Sequence, residues 1–513
     1  MADTTIRDKL EVAGPVVAVL AGALVLLPWV TSNHALSKFP LVGKELGTEG
    51  KRRAAFLENA SKIHKTGYAM FRNVSFRLTE SEGEIVVMPI GYLEELRKFP
   101  DDVLSTVEPI RQFLQTHYLG IRGDDELLNH VIRSDLNHKL NSVNEKLSSE
   151  VALTIPEHLG KSRDWTSINI FGAMLRMVAI ISGHIFLGPE LNRREEYLHA
   201  SINYTIDLFK AATQLRSWPL WLRPIGQFFV PDINSVKEHR RRAKEFLVPI
   251  VRERQASRAA PDGSEEPDDM LQWMLAKAEK FGNTDEGYIA ELQLTLSLAA
   301  IHTTTMTVTH VIYDLIAYCP EVIPELQSEI RTVLADNGGV MTTQALFQMK
   351  LLDSVMRESQ RHNPTTATSF RRKVLKDVTL SDGTFLPRGS LIGVPQYGVS
   401  MDPELYPDPA VFNPSRFSDI RSGEAPNTLG YSNKEQYQFI SVNKEHTGFG
   451  YGRHACPGRF FAANEIKLVL ARILVDYEIK MPPGETGRYT NLMQIDNVTP
   501  DPRKSVMFKY VGQ

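Results

Sequence analysis

The sequence predicts a mainly α-helical protein with small β-sheets behind an N-terminal single-pass membrane anchor. Three observations carry that reading. Long stretches keep a helical period, above all Glu291 to Tyr318. Strand and hairpin text is short and confined to a few places, such as 84–89 and 378–394. Ala13 to Val30 is an apolar run of about 18 residues, close to the length that spans a bilayer. At 513 residues the chain has room for about three average domains. Its 42% hydrophobic and 23% charged content is that of an ordinary globular protein. A formal net charge of -3 without a long basic run gives no electrostatic basis for binding nucleic acid. Two cysteines make no disulfide framework, which suits a cytosol-facing body.

Composition divides the chain into a tail (1–12), the anchor (13–30), a linker (31–66) and a globular domain (67–513). Gly14, Pro15 and Gly22 weaken the apolar run as a soluble helix but are tolerated in a membrane. No small-residue cleavage site follows Leu27-Pro28-Trp29, which argues against a removed signal peptide. Lys38, Lys44, Lys51, Arg52 and Arg53 outnumber Arg7 and Lys9 before the run, placing the body in the cytoplasm. Lys38 to Gly43, with Pro40, reads as a stiff hinge leaving the membrane.

Glu84 to Pro89 reads as a strand, and Tyr92 to Phe99 as a short helix stopped by Pro100. Asp124 to Leu140, Ile168 to Leu187 and Leu191 to Leu215 read as helices. Pro219, Pro224 and Pro231 then break the pattern around Trp218 and Trp221. Arg240 to Arg258 is a charged helix whose alternating signs, as in Arg252-Glu253-Arg254, mark a solvated face. The helix Glu291 to Tyr318, about 42 Å long, ends at Cys319-Pro320. At its centre, Ala299-Ala300-Ile301-His302-Thr303-Thr304-Thr305 replaces bulky side chains with small and hydroxylated ones, so a planar ligand can lie against the backbone. A threonine hydroxyl there can bond back to a carbonyl one turn earlier and loosen the helix.

Leu351 to His362 carries Glu358-Ser359-Gln360-Arg361, whose acid and base three apart share a helix face. Asn363-Pro364 ends that helix, a hairpin follows across Ser381-Asp382-Gly383-Thr384, and Phe412-Asn413-Pro414-Ser415-Arg416-Phe417 comes next. The chain then reaches Phe449-Gly450-Tyr451-Gly452-Arg453-His454-Ala455-Cys456-Pro457-Gly458. Two glycines allow a tight loop, and Pro457 stands where a helix begins. A thiol at a helix N-terminus is favoured as thiolate and suits a soft metal. Zinc normally takes four protein ligands, and the only other cysteine, Cys319, is distant in sequence. An axial thiolate to haem iron needs one.

This loop resembles the haem-binding signature of cytochromes P-450, in the form seen in fungal microsomal members, with Phe449, Gly452, His454, Cys456 and Gly458 matching. The resemblance extends over essentially the whole chain, which is similar to fungal terpenoid-oxidising members such as ent-kaurene oxidase. It implies a cytochrome P-450 fold and a cofactor, haem b, with Cys456 as the axial ligand of iron. It implies haem contacts from Phe449, Gly458 and Ala299, and carboxylate partners in His454, Arg453, Arg371 and Arg133, although the tryptophan that often precedes the last is missing. Ala299, Ala300 and Thr303 match the oxygen-activation motif, while His302 replaces its usual acid. His302 is therefore either a proton relay or a packed, hydrogen-bonded residue. Arg416 is expected to join Glu358 and Arg361 in a supporting network.

The implied activity is a haem-thiolate monooxygenase in the endoplasmic reticulum membrane, with its catalytic domain cytoplasmic. It would insert one atom of O2 into a small hydrophobic secondary metabolite, a terpenoid or meroterpenoid. Electrons would come from NADPH through cytochrome P-450 reductase, with cytochrome b5 as a further partner. The Pro- and Trp-containing stretch at 218–231 is either a membrane-touching lid or a loop packed on its own domain. Pocket walls are expected from Leu298, Ala299, Ile301 and Thr365 to Ser369. Three other readings stay open: a reductase-independent haem-thiolate isomerase or dehydratase, a cysteine hydrolase pairing Cys456 with His446 or His454, and a haem sensor.

Overall fold

The computed structural model describes residues 36–259, 266–494 and 497–512. The expected tail and anchor, 1–12 and 13–30, lie outside these residues. The described chain is mainly helical with four small sheets and divides into two compact units. Each unit has its own organisation.

The smaller unit runs to Pro109 and takes in Phe370–Pro395. Its first long helix, α1 (Glu49–Phe71), occupies much of the stretch expected to be linker. It is kinked at Asn59 (φ -150°, ψ 64°); Phe56 is buried before the kink, and Ala60, His64 and Gly67, spaced four and three apart, share one face after it. The Thr48 hydroxyl caps the helix by accepting the Lys51 N–H. A Cβ on Gly67 would come within 2.6 Å of the Phe76 ring, so only glycine lets α1 approach the first strand this closely. The five-stranded sheet has the order Phe76–Glu80, Gly83–Val87, Leu391–Val394, Ser369–Val374, Leu104–Ser105. The expected hairpin is present as Val378–Thr379 against Phe385–Leu386.

In the larger unit, the helices that build the site are α2 (Leu140–Leu159), α3 (Ile170–Leu187), α4 (Glu195–Ser217), α5 (Asp232–Ala259), α6 (Glu286–Tyr318), α7 (Lys350–His362) and α8 (Arg459–Asp476). Among the described residues α3 alone is long and apolar enough to cross a membrane. It packs instead against α2 and α6, and 72% of it is buried, which marks a core helix. α6 is 33 residues long and starts earlier than the apolar pattern suggests. The Asp285 carboxylate sets that start by accepting the Tyr288 N–H at 2.7 Å.

The helix expected across 124–140 is broken. Asp125 caps a short helix Glu126–Val131, which continues as one π turn, Ile132–Leu136, before α2. The apolar stretch after α4 forms short turns in which Trp221 is 77% exposed and Phe228 82%. Arg223 and Val230 of the same stretch are buried, so it packs on its own domain while turning these apolar rings outward.

Candidate active site

Gly450 and Gly452 both adopt left-handed backbone, with φ of 79° and 70°, and turn the chain back on itself. The Cys456 N–H then closes the loop by donating to the Phe449 carbonyl at 2.7 Å. The Phe449 ring is held edge-on by Phe439, with centroids 5.1 Å apart. α8 begins three residues after the cysteine. Burial pushes the Cys456 thiol up, while the N–H groups of Gly458 and Arg459 and the Arg459 charge oppose it. The helix terminus alone therefore does not make a thiolate, as the sequence suggested; desolvation outweighs it, and a cation bound at sulfur inverts that balance. The other cysteine, Cys319, lies buried at the end of α6, where desolvation pushes its thiol up to about 12.

α6 supplies a second accessible surface in the same unit. Nearly every residue around its centre is buried or half-buried, yet Ala299 and Thr303, one turn apart, are exposed. An accessible stripe of small residues in the middle of a core helix leaves room for a flat ligand, so the residues present fit a haem. The Thr303 hydroxyl donates to the Ala299 carbonyl at 2.8 Å, the back-bond expected from the threonine run. Ile301, expected on the pocket wall, is fully buried on the opposite side. A recess next to Thr303 is lined by Thr307, His310, Gln360, Thr365 and Val498.

His302 is not placed as a relay. Its Nε2–H donates to the Ile202 carbonyl at 3.2 Å, and burial lowers its pKa to about 4, so it is neutral at physiological pH. The group that holds a proton here is Glu465 on α8, which the sequence reading missed. It is fully buried, accepts from the Ser182 hydroxyl at 2.6 Å and the Thr304 hydroxyl at 3.5 Å, and is pushed up to about 8 by burial. The trace in the sequence is an acid at the head of the mostly apolar 466–474 stretch, which also carries Lys467 and Arg472.

The supporting network is assembled as expected. Glu358, Arg361 and Arg416 are 0%, 2% and 9% exposed. Arg361 grips both carboxylate oxygens at 2.7 and 2.9 Å, and Arg416 Nε lies 3.0 and 3.1 Å from the same pair. The spare guanidinium hydrogens go to the carbonyls of Ser400, Pro409 and Pro407. Burial raises the Glu358 pKa, but Arg361, His362 and Arg416 overcome it and hold the carboxyl at about 2.

The cations expected at the haem carboxylates are placed differently from one another. Arg133 lies on the π turn and donates to the Arg453 carbonyl at 3.4 Å, so the two meet at the cysteine loop. Arg453 and His454 sit side by side at 3.1 Å in the 3-10 turn Gly452–His454. Arg371 belongs to the smaller unit, where its guanidinium pairs with the buried carboxylate of Glu80.

The sequence model of the cytochrome P450 family matches residues 126–508, a span holding the π turn, α6, α7 and the cysteine loop. The chain belongs to the cytochrome P450 family. It is similar to the cytochrome P450 monooxygenase braC of Annulohypoxylon truncatum, with 34% identity over 95% of both chains. It is 35% identical to the monooxygenase AN1598 of Emericella nidulans, over 98% of this chain and 93% of that one. It is also 34% identical to the ent-kaurene oxidase P450-4 of Gibberella fujikuroi, over 92% and 93% of the respective chains. This cytochrome P450 is thus an oxidoreductase of the monooxygenase type, using haem whose iron takes an axial cysteine thiolate. Such an enzyme requires O2, a reducing partner and a hydrophobic substrate.

Proposed function

We propose that this cytochrome P450 inserts one oxygen atom from O2 into a bulky terpenoid or meroterpenoid, with Cys456 as the axial ligand and NADPH-cytochrome P-450 reductase as the electron source. The observation that carries the reading is the pairing of a cysteine loop closed over Cys456 with an accessible Ala299/Thr303 stripe on a core helix. Bound haem supplies the oxygen activation and hydrogen abstraction. The chain's residues bind, orient and manage protons. Gly458 and Arg459 direct N–H groups at the sulfur, and Arg133, Arg453 and His454 form the cationic edge for haem carboxylates. Arg371 pairs with Glu80 within the smaller unit. Thr303 presents its hydroxyl oxygen toward the open side, and Glu465 holds a proton beneath Thr304.

The similarity to an ent-kaurene oxidase supports a terpenoid substrate, and the recess beside Thr303 supports a ligand that packs against α6 and α7. The outward Trp221 and Phe228 support attachment to the endoplasmic reticulum membrane, together with the anchor read at 13–30. A packed His302 that donates to the Ile202 carbonyl supports the monooxygenase reading over an isomerase or dehydratase. The test is co-expression with the reductase in yeast microsomes fed di-, sesqui- and meroterpenoids. NADPH-dependent oxygenated product is expected, and NADPH-independent turnover overturns the monooxygenase reading in favour of the isomerase.

A further inference from the structure

The recess beside Thr303 lies within the larger unit, between the C-terminal half of α6, the end of α7 and the strand Asn497–Thr499. A site for a wholly apolar molecule is lined by apolar side chains, with few polar groups. Here, apart from Met306 and Val498, every lining residue carries a side-chain oxygen or nitrogen. The recess has room for one group the size of a water molecule.

Much of that polarity is already engaged. The Ser359 hydroxyl donates to Asp314, and Thr307 donates to the Thr303 carbonyl. The Asn363 amide donates to Asp314 and accepts from Arg488 and Asn491. His310 and Gln360 differ. Arg488 Nη2 lies 2.8 Å from His310 Nδ1, and because a guanidinium only donates, Nδ1 must accept. Burial and the Arg488 charge hold the His310 pKa well below its ordinary value, so the ring is neutral and carries its one proton on Nε2. Val498 lies on that side and its backbone favours the proton, yet buried Nε2 completes no hydrogen bond among the described residues. Gln360 Oε1 is also buried with no hydrogen-bond partner among them.

One recess thus holds an unsatisfied donor and an unsatisfied acceptor. A hydroxyl answers both with a single oxygen, an ether or carbonyl only accepts, and a hydrocarbon does neither. Leaving such buried atoms unpaired costs more than an ordinary hydrogen bond gains.

We propose that this recess is a subsite for a hydroxyl oxygen and that the substrate is a terpenoid already carrying an alcohol, which accepts from His310 Nε2–H and donates to Gln360 Oε1. The inference rests on the terpenoid reading above and narrows it. Without substrate, one water makes the same two bonds.

The test is optical titration of full-length ferric holoenzyme with sesqui-, di- and meroterpenoid alcohols, each paired with its methyl ether and its deoxy parent. Dissociation constants are read from the shift in haem absorption. At least one alcohol is expected to bind about tenfold more tightly than its ether and its parent. In Gln360→Met, which keeps side-chain length and loses the acceptor, that preference is expected to disappear. His310→Phe removes the donor and should act in the same way. A preference that survives Gln360→Met overturns the proposal, and so does an equal loss of affinity for alcohol and parent, which marks a structural role. Alcohol, ether and parent binding alike to the wild-type protein means that the recess holds water only, and overturns the proposal while the terpenoid reading stands. No shift with any terpenoid defeats that reading itself, and this inference with it.

Discussion

Thr303 and His302 are adjacent on one helix yet have opposite environments, and side-chain direction separates them. Thr303 is exposed on the open stripe, whereas His302 is turned into α4 with its proton on the Ile202 carbonyl. Thr303→Ala is expected to raise the peroxide formed per NADPH consumed and to lower product; unchanged coupling would remove its oxygen-handling role. His302→Phe should leave the solvent isotope effect unaltered, because a neutral, packed imidazole carries no proton in turnover. Glu465 gives the clearest pH signature. Its pKa rises from 4.5 to about 8 on folding, so the folded state holds a proton that the unfolded chain has released between those values. Its stabilising contribution is full below pH 4.5, declines as pH rises, and is lost by about 8, by a few kcal/mol in all. Glu465→Gln should flatten the denaturation midpoint across that window, and an unchanged slope would refute the assignment.

At the scale of elements, α7 owes its place to Glu358. A carboxylate held at about 2 against an ordinary 4.5 contributes stability above pH 4.5 that is lost as pH falls toward 2. Glu358→Gln leaves Arg361 and Arg416 buried without their counter-charge and is expected to cost about 3–5 kcal/mol. Haem content and the urea midpoint should fall together, before any selective loss of turnover. The segment between α4 and α5 behaves differently, since it exposes large apolar side chains rather than burying them. In vesicles containing nitroxide-labelled lipid, full-length protein should show quenched tryptophan emission, and Trp221→Phe should lose part of that quenched component. Equal quenching in both would place Trp221 away from the bilayer.

For the whole molecule, linear order and chemical type were already legible. The cysteine loop, the threonine run, the Glu358-x-x-Arg361 pair and Arg416 each announce themselves through local composition, and the comparisons place them in one family. Local spacing also contained the later part of α1, because Ala60, His64 and Gly67 keep a helical period, but its charged surface made 49–66 read as linker. Long-range contact was not legible. Glu465 becomes a proton holder only because α3 and α6 bury it, and Arg371 acquires Glu80 only through the sheet that joins 80 to 371. The reduced carbon monoxide spectrum of the whole protein should show the thiolate-ligated band, and Cys456→Ser should abolish it. By itself the sequence determined the helical class and the reaction type, and it offered the cysteine we propose as iron ligand, since each depends on neighbours along the chain. Tertiary structure alone decided which titratable group is charged, because desolvation and partner distance depend on what other elements bring to the same place.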